Sequence, residues 1–505
     1  MEKNIIIYHT NDTHARISTL DDNERSIGLD KISKLVNKTL LTNKHSFLFS
    51  AGDILHGTPR ININPDSIVD LLNPTALNAM VTGNHDYNFG LDHLYKLSKN
   101  LNAYILSANT VDKETGVPLL LPYVIYELDL LDDDYLDIKT ANSNDSKNNN
   151  LKIGVFGLST PETAYKTNPE NVKNVTFLNP ITVAKNMISV LEKTCDIIIT
   201  LTHLGLDESS EFTSKRLAEE VAGMDLVIDG HSHSELSNGM VVNNTLIVQA
   251  GSHGHFLGKV TLTVDVDEKQ IINKKAELLN EATVDKLINS ETDAFINNRL
   301  NELDKRTNNI LNAPITTSPF LLSADRSIVR CKESELGNFI ADIIRSSTGS
   351  DVAVINGGNL RSDFVKGNIS RKTILDIFPF NESIVVTKIT GSVLKAVVEH
   401  STEFMPAAFG GFLHFSGLTV KINTNLPGGE RVQKIKVNNL DLDEEKEYTV
   451  AVTDFMTSGG DDYSMLKDCT VIKNAGLLDG LVINWLSQPD WYKSVNFATG
   501  RIKLM

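Results

Sequence analysis

The stretch Ala79-Met80-Val81-Thr82-Gly83-Asn84-His85-Asp86 constrains this chain more than any other. An apolar run reaches a glycine that permits a tight turn, and an amide, an imidazole and a carboxylate follow where the strand should stop. Four other apolar runs end as abruptly, on Asp12 and His14, on Asp53, on His203, and on the pair His231 and His233. In open α/β sheets, ligands gather beyond the carboxyl ends of the strands. Five such motifs in series predict an α/β sheet that carries a two-metal hydrolytic site.

The surrounding pattern agrees. Between Ile5 and about Asp267, short β-branched runs alternate with longer helical patterns; 46–50, 151–157 and 196–201 read as buried strands and 180–193 as a helix. Residues 129–150 hold Asp132-Asp133-Asp134 and Asn148-Asn149-Asn150 with little apolar content, and read as a solvated surface insertion. From 280 to 311 the chain turns charged and helical, with Leu287, Ala294, Ile296, Leu300, Leu303 and Ile310 spaced as a partly buried stripe, until Pro314 and Pro319 break it. Runs at 351–355 and 448–452 then read as strands of a second α/β domain. The expected organisation is a catalytic domain over 1–293, a connecting helix over 294–312 and a smaller domain over 313–505.

Length and composition narrow the class. At 505 residues the chain exceeds one hydrophobic core, and 41% hydrophobic with 22% charged residues is the balance of a folded globular protein. A net charge of -16 disfavours a binder of nucleic-acid polymers or anionic membranes, which needs a basic surface, but leaves room for a local basic pocket. Cys195, Cys331 and Cys469 are odd in number and far apart, so neither a disulfide framework nor a thiolate zinc site is indicated. The chain enters a strand-like run at Ile5 and shows no span of about 18 apolar residues, and a cytoplasmic location is the expectation.

Taken singly, each motif has a structural alternative. Asp12 could cap a turn, Gly52-Asp53 is a common turn, and His85 or His203 could be a satisfied buried histidine. The conjunction carries the reading. In extended chain, Asp12 and His14 point the same way, as do the alternating His231 and His233 of Gly230-His231-Ser232-His233. Ligands of His, Asp and Asn without thiolate suit Mn, Zn, Co or Fe as divalent ions. A carboxylate shared by two ions roughly 3.5–4 Å apart would allow one bridging hydroxide at neutral pH, and phosphoryl transfer is a natural product of that geometry.

These residues resemble the calcineurin-like metallophosphoesterases, specifically the 5'-nucleotidase/UDP-sugar hydrolase/2',3'-cyclic phosphodiesterase family, over essentially the whole chain. The resemblance implies a sandwich of two β-sheets flanked by helices, joined to a smaller α/β nucleotide-binding domain. It implies one metal held by Asp12, His14 and His233, another by Asn84, His203 and His231, and Asp53 between them. His85 would face the phosphate rather than a metal. The smaller domain resembles the family's nucleotide-binding domain through 356–361 (NGGNLR) and 455–461 (FMTSGGD). By that resemblance Phe380 and Phe455 would sandwich the base, Asp461 would bond the ribose, and Arg330, Asn356, Gly358 and Arg361 would line the substrate site. Read from the residues alone, Gly357 and Gly358 permit close backbone approach and Arg361 offers a planar fork, while an ordinary strand-to-helix turn and core phenylalanines stay open. His253 and His255 receive no role.

One departure concerns the acid step. Where the family commonly has an aspartate three residues after the catalytic histidine, this chain has Asn88. An amide can orient the imidazole but cannot favour its protonated form as a carboxylate would. His85 is therefore expected to act chiefly as a donor to phosphoryl oxygens, with slower turnover. The resemblance also implies rotation of the domains about the connecting helix. The expected function is release of nucleoside and phosphate from a small-molecule nucleotide; the rivals are a cyclic-nucleotide phosphodiesterase, a UDP-sugar diphosphatase, and a nucleotide-binding sensor.

Overall fold

Period-two alternation along the first strand sets up a sandwich: Ile5 and Ile7 face one core while Tyr8 faces another. The computed structural model describes every residue except 22–23, 131–136, 140–149, 168, 381 and 494–496. Most of the expected 129–150 insertion, with its aspartate and asparagine runs, lies outside the described residues. The chain divides into two compact units, Met1–Thr307 and Asn308–Met505.

In the first unit the strands of the two large sheets are β1 (Glu2–Thr10), β2 (Ser46–Ser50), β3 (Leu77–Val81), β4 (Tyr104–Leu106), β5 (Tyr123–Leu128), β6 (Asp137–Lys139), β7 (Leu151–Ser159), β8 (Ile197–His203), β9 (Leu226–Ile228), β10 (Met240–Val242), β11 (Thr245–Val248), β12 (Phe256–Asp265) and β13 (Gln270–Asn280). One sheet has the order β13-β12-β1-β2-β3-β4, the other β10-β11-β9-β8-β7-β5-β6. Strands β1 to β4 run parallel, and so do β7, β8, β9 and β11. Ile5, Ile7, Phe47, Phe49 and Val81 of the first sheet meet Ile153, Val155, Ile197, Ile199 and Leu201 of the second. Each such buried side chain contributes roughly 1.5–3 kcal/mol of transfer free energy.

Helices cover both outer faces. α1 (Leu29–Thr42) packs Ile32, Leu35 and Val36 on the first sheet. α2 (Pro180–Leu191) packs Ile181, Ala184 and Ile188 on the second, and starts where Asn179 accepts from the Thr182 amide with Pro180 in the first turn. α3 (Glu281–Ile288) and α4 (Ala294–Asn312) follow. On α4, Ile296, Leu300, Leu303 and Thr307 are buried at helical spacing. The expected stripe needs correction at three positions: Leu287 lies on α3 and is exposed, and Ala294 and Ile310 are exposed. The helical phase is not carried across because α3 ends at Asn289 in the left-handed region, φ 56°. Among the described residues no helix is long and apolar enough to cross a membrane.

The second unit is built on a five-stranded sheet, β14 (Val352–Asn356), β15 (Ser383–Thr390), β16 (Leu413–Ser416), β17 (Glu447–Thr453) and β18 (Thr470–Leu477), in the order β16-β14-β17-β15-β18. α5 (Glu335–Thr348) begins where Ser334 Oγ accepts from the Gly337 amide and ends at Gly349 in the left-handed region, φ 73°. It packs Phe339, Ile340 and Ile343 beneath Ala353 and Ile355 of β14, whose other face, Val352 and Val354, belongs to a second core.

Candidate functional site

The first unit brings its sequence-predicted residues to one edge of the sandwich. Asp12 and His14 follow β1, Asp53 follows β2, Asn84 and His85 follow β3, His203 ends β8, and His231 and His233 follow β9, each at the carboxyl end of a parallel strand. The local conformation differs from the extended chain expected for the paired motifs. Asp12 (φ 48°), His14 (47°), Asp53 (53°), His231 (81°) and His233 (54°) all sit in the left-handed region. Such conformations are uncommon outside glycine and cluster at sites where the surrounding structure imposes them. The side chains converge because the backbone curls there, rather than because alternate residues share a face.

Among the described residues three groupings result, each with one ligand-type atom per residue within 4.8 Å of the others: Asp12 with His14 and His233, Asp12 with Asp53 and His203, and His14 with Asp53 and His85. His14 Nε2 and His233 Nε2 face each other at 3.2 Å, and His233 Nε2 is 3.5 Å from Asp12 Oδ1. His203 Nδ1 lies 2.6 Å from the Ala51 carbonyl oxygen, which directs Nε2 to within 3.2 Å of Asp53 Oδ2 and 3.8 Å of Asp12 Oδ1. His231 Nδ1 and Asn84 Oδ1 are 3.0 Å apart. A Cβ on Gly83 would collide with Asp53 Oδ1, and one on Gly230 would sit 2.9 Å from both Asp12 Oδ2 and His203 Nδ1.

This donor set fits divalent cations. His203 Nε2 is buried and faces the Asp53 and Asp12 carboxylates without a well-aligned hydrogen bond to either. Burial pushes the His203 imidazole down, but Asp53 and Asp12 overcome it and raise it to about 10, so the ring itself supplies the cation that two buried carboxylates require. Burial likewise pushes Asp53 up, and the rings of His203, His85 and His14 hold it well below the usual carboxylate range. Burial lowers His14 to about 3, which keeps that imidazole neutral, the form that binds a metal.

Four further side chains pack into the candidate site, Asp86, Glu162, Lys166 and His56; the sequence reading met Asp86 as the carboxylate of its leading motif without giving it a role, and missed the other three. Asp86 is buried and accepts from the amides of Asp53, Ile54, Leu55 and Gly83, which ties the β2 and β3 loops together. Burial, then Asp53, raises it to about 6. Glu162, just past β7, places Oε2 2.9 Å from His231 Nε2, and Lys166 Nζ is 2.6 Å from the same oxygen. His231, then Lys166, hold Glu162 at about 2 against burial. His56 stacks over His85, with ring centroids 6.1 Å apart. Glu162 was findable as one more polar residue at a strand end; Asp86 and His56 stand within a few residues of the named motifs. Asn88 places its Nδ2 3.1 Å from His85 Nδ1. His253 packs edge-on to His14, at 5.7 Å between centroids.

In the second unit, β14 runs parallel to β17, and β15 pairs antiparallel with β17, Ile384 opposite Thr453. The end of β14 at Asn356, the turn after β17 that holds Phe455, and the approach to β15 that holds Phe380 therefore share one edge. Phe380 is 52% and Phe455 40% exposed, so neither is core. Arg361 stacks its guanidinium over Phe380 at 5.6 Å. Asn356 Nδ2 donates to Asp461 Oδ2 at 2.8 Å, and Asn359 Nδ2 reaches both Asn356 Oδ1 and Glu382 Oε2. The Gly358 amide donates to the Gly410 carbonyl at 2.7 Å. Burial, then Arg326 and Arg361, lower the Arg330 pKa while Asp461 opposes, so Arg330 belongs to the same charged group.

Fold and site together define a phosphoesterase. Residues 5–235 match the calcineurin-like phosphoesterase family, and residues 314–468 match the 5'-nucleotidase C-terminal domain. The chain belongs to the calcineurin-like phosphoesterases that carry this second domain, the 5'-nucleotidase family. It is 28% identical over 506 residues to the trifunctional nucleotide phosphoesterase protein YfkN of Bacillus subtilis, which covers 94% of this chain but 33% of that protein, so the chain spans about a third of that relative. It is 26% identical over 524 residues to a 5'-nucleotidase of Vibrio parahaemolyticus, covering 95% of this chain and 88% of the relative. The crystal structure of a 5'-nucleotidase precursor from Thermus thermophilus is similar with a TM-score of 0.58 at 25% identity, covering 100% of this chain and 99% of that one.

Proposed function

We propose that this chain is a metal-dependent hydrolase of small nucleotides that releases nucleoside and phosphate from 5'-monophosphates. The observation that carries the reading is the meeting of Asp12, Asp53, His14, His203 and His233 at one strand edge, in a chain whose other unit matches the 5'-nucleotidase C-terminal domain. Asp12, His14 and His233 would hold one divalent ion, Asn84, His203 and His231 a second, and Asp53 both. Ions bound there supply a hydroxide at neutral pH and neutralise phosphoryl oxygens.

The chain's own residues do the rest. His85, with Nδ1 against Asn88, has its other ring nitrogen to donate to the phosphoryl group. Phe380 and Phe455 offer faces for a base, Asp461 Oδ1 can accept from a ribose hydroxyl, and Arg330 and Arg361 attract the phosphate. A second activity on phosphodiesters or anhydrides is supported by the likeness to a relative named as trifunctional.

The test is phosphate release from a nucleoside 5'-monophosphate, UDP-glucose and a 2',3'-cyclic nucleotide in the presence of Mn, Zn or Co. Fastest turnover of the monophosphate is expected. Faster turnover of the cyclic nucleotide or UDP-glucose would transfer the assignment to that substrate, and tight binding without turnover would replace it with a nucleotide sensor.

A further inference from the structure

We infer that His56 is a positioning residue which, through Asn88, locks the His85 ring with its proton on Nε2. The inference deepens the proposed hydrolysis and rests on that reading for its catalytic consequence, though not for its geometry.

Asn88 Nδ2 lies 3.1 Å from His85 Nδ1 and 3.1 Å from His56 Nδ1, and Thr167 Oγ1 donates to Asn88 Oδ1 at 2.8 Å. An amide nitrogen carries two protons and accepts nothing. With the amide in this orientation both Nδ1 atoms accept, which leaves the proton of each ring on Nε2. The two rings lie nearly parallel, 10° between planes. The main chain holds Asn88 in place: its amide donates to the His85 carbonyl at 3.1 Å, and its carbonyl accepts from Asn171 Nδ2 at 2.8 Å.

His56 couples the orientation of the amide to a second ring. Were it absent, the Asn88 side chain could turn over, because the Thr167 hydroxyl can accept as well as donate. Asn88 Oδ1 would then accept a hydrogen bond from His85 as its Nδ1–H tautomer, leaving Nε2 with a lone pair and nothing to give a phosphoryl oxygen. With His56 present, the same turn demands that two rings change tautomer at once. Burial keeps His56 neutral, at about 4, so its ring always has one acceptor nitrogen to offer the amide.

The test begins with the whole, metal-free chain labelled with 15N-histidine, read by long-range proton-nitrogen correlation and assigned with His56→Phe and His85→Ala. The lock predicts His85 and His56 both as Nε2–H tautomers, and a mixed or Nδ1–H population for His85 in His56→Phe. In the metal-loaded protein, His56→Phe should lower kcat about 10-fold with KM unchanged, part of the ~100- to 10,000-fold that positioned proton donors contribute. His56→Gln, which restores an acceptor, should recover most of it. An Nδ1–H tautomer of His85 in the unmodified chain overturns the lock, as does equal kcat in the unmodified, Phe and Gln forms. If the unmodified protein turns over no nucleotide, the nitrogen spectra still decide the lock, and the failure belongs to the proposed function.

Discussion

His203 Nε2 lies 3.2 Å from Asp53 Oδ2, with the two side chains 0% and 3% exposed. A buried ion pair of this kind is held only where each charge has its partner, since removing one leaves the other stranded at a cost of about 3–5 kcal/mol. Here Asp12 adds a second carboxylate 3.8 Å from the same nitrogen. Without a metal, the imidazolium is the cation of the site.

A divalent ion that takes His203 Nε2 must displace that proton. Because Asp53 and Asp12 raise His203 to about 10 against burial, metal affinity should climb with pH by about 10-fold per unit below that value. Titration of the stripped protein with Zn in weak buffer at pH 7 should release at least one proton per chain; no release would place the metal elsewhere.

Glu162→Gln should weaken metal binding about 10- to 100-fold, because Glu162 Oε2 orients His231 through Nε2 while Nδ1 faces Asn84. Competition with a chromophoric chelator measures this directly. Unchanged affinity would reduce Glu162 to a partner of Lys166.

Asp86→Ala should destabilise the first unit by roughly 3–5 kcal/mol, since it strips an acceptor from four buried amides that each cost about 1–3 kcal/mol unpaired, less what water and local shifts recover. Urea unfolding followed by circular dichroism reads the loss, and Asp86→Asn, which keeps an oxygen, should lose less.

Phe455→Ala should raise KM about 10- to 100-fold with kcat little changed, as removal of about 1–3 kcal/mol of base stacking distant from the reacting bond does. Initial rates on a purine monophosphate test it. A loss confined to kcat would give Phe455 a part in the reacting geometry.

Much of the layered fold was legible because β1, β2 and β8 alternate between two cores and announce themselves as apolar runs. The meeting of the candidate-site residues was legible for a related reason: a polar side chain directly beyond such a run has nowhere to go but the sheet's carboxyl edge. What the runs could not show was how Asp12 and His14 reach His233 while His231 turns to Asn84 and Glu162, since left-handed backbone is imposed by the packing of loops remote in sequence. His56 and Glu162 stood near the named strand ends, but the partners that give them a place in the site are 32 and 69 residues away, and spacing along a chain carries no trace of that. The misread stripe at Leu287 shows the converse. A helical period continues on paper across Asn289, where one residue's φ ends the helix.

If the clustered Asp, His and Asn side chains work by holding divalent ions, metal and turnover must come and go together. Metal content and phosphate release are to be read on the same sample, after exhaustive chelation and again after reloading with Mn, Zn or Co. Turnover should be abolished by chelation and restored as two ions per chain return, with Asp53→Asn unable to recover either. Undiminished phosphate release from protein that retains no metal would contradict that coupling.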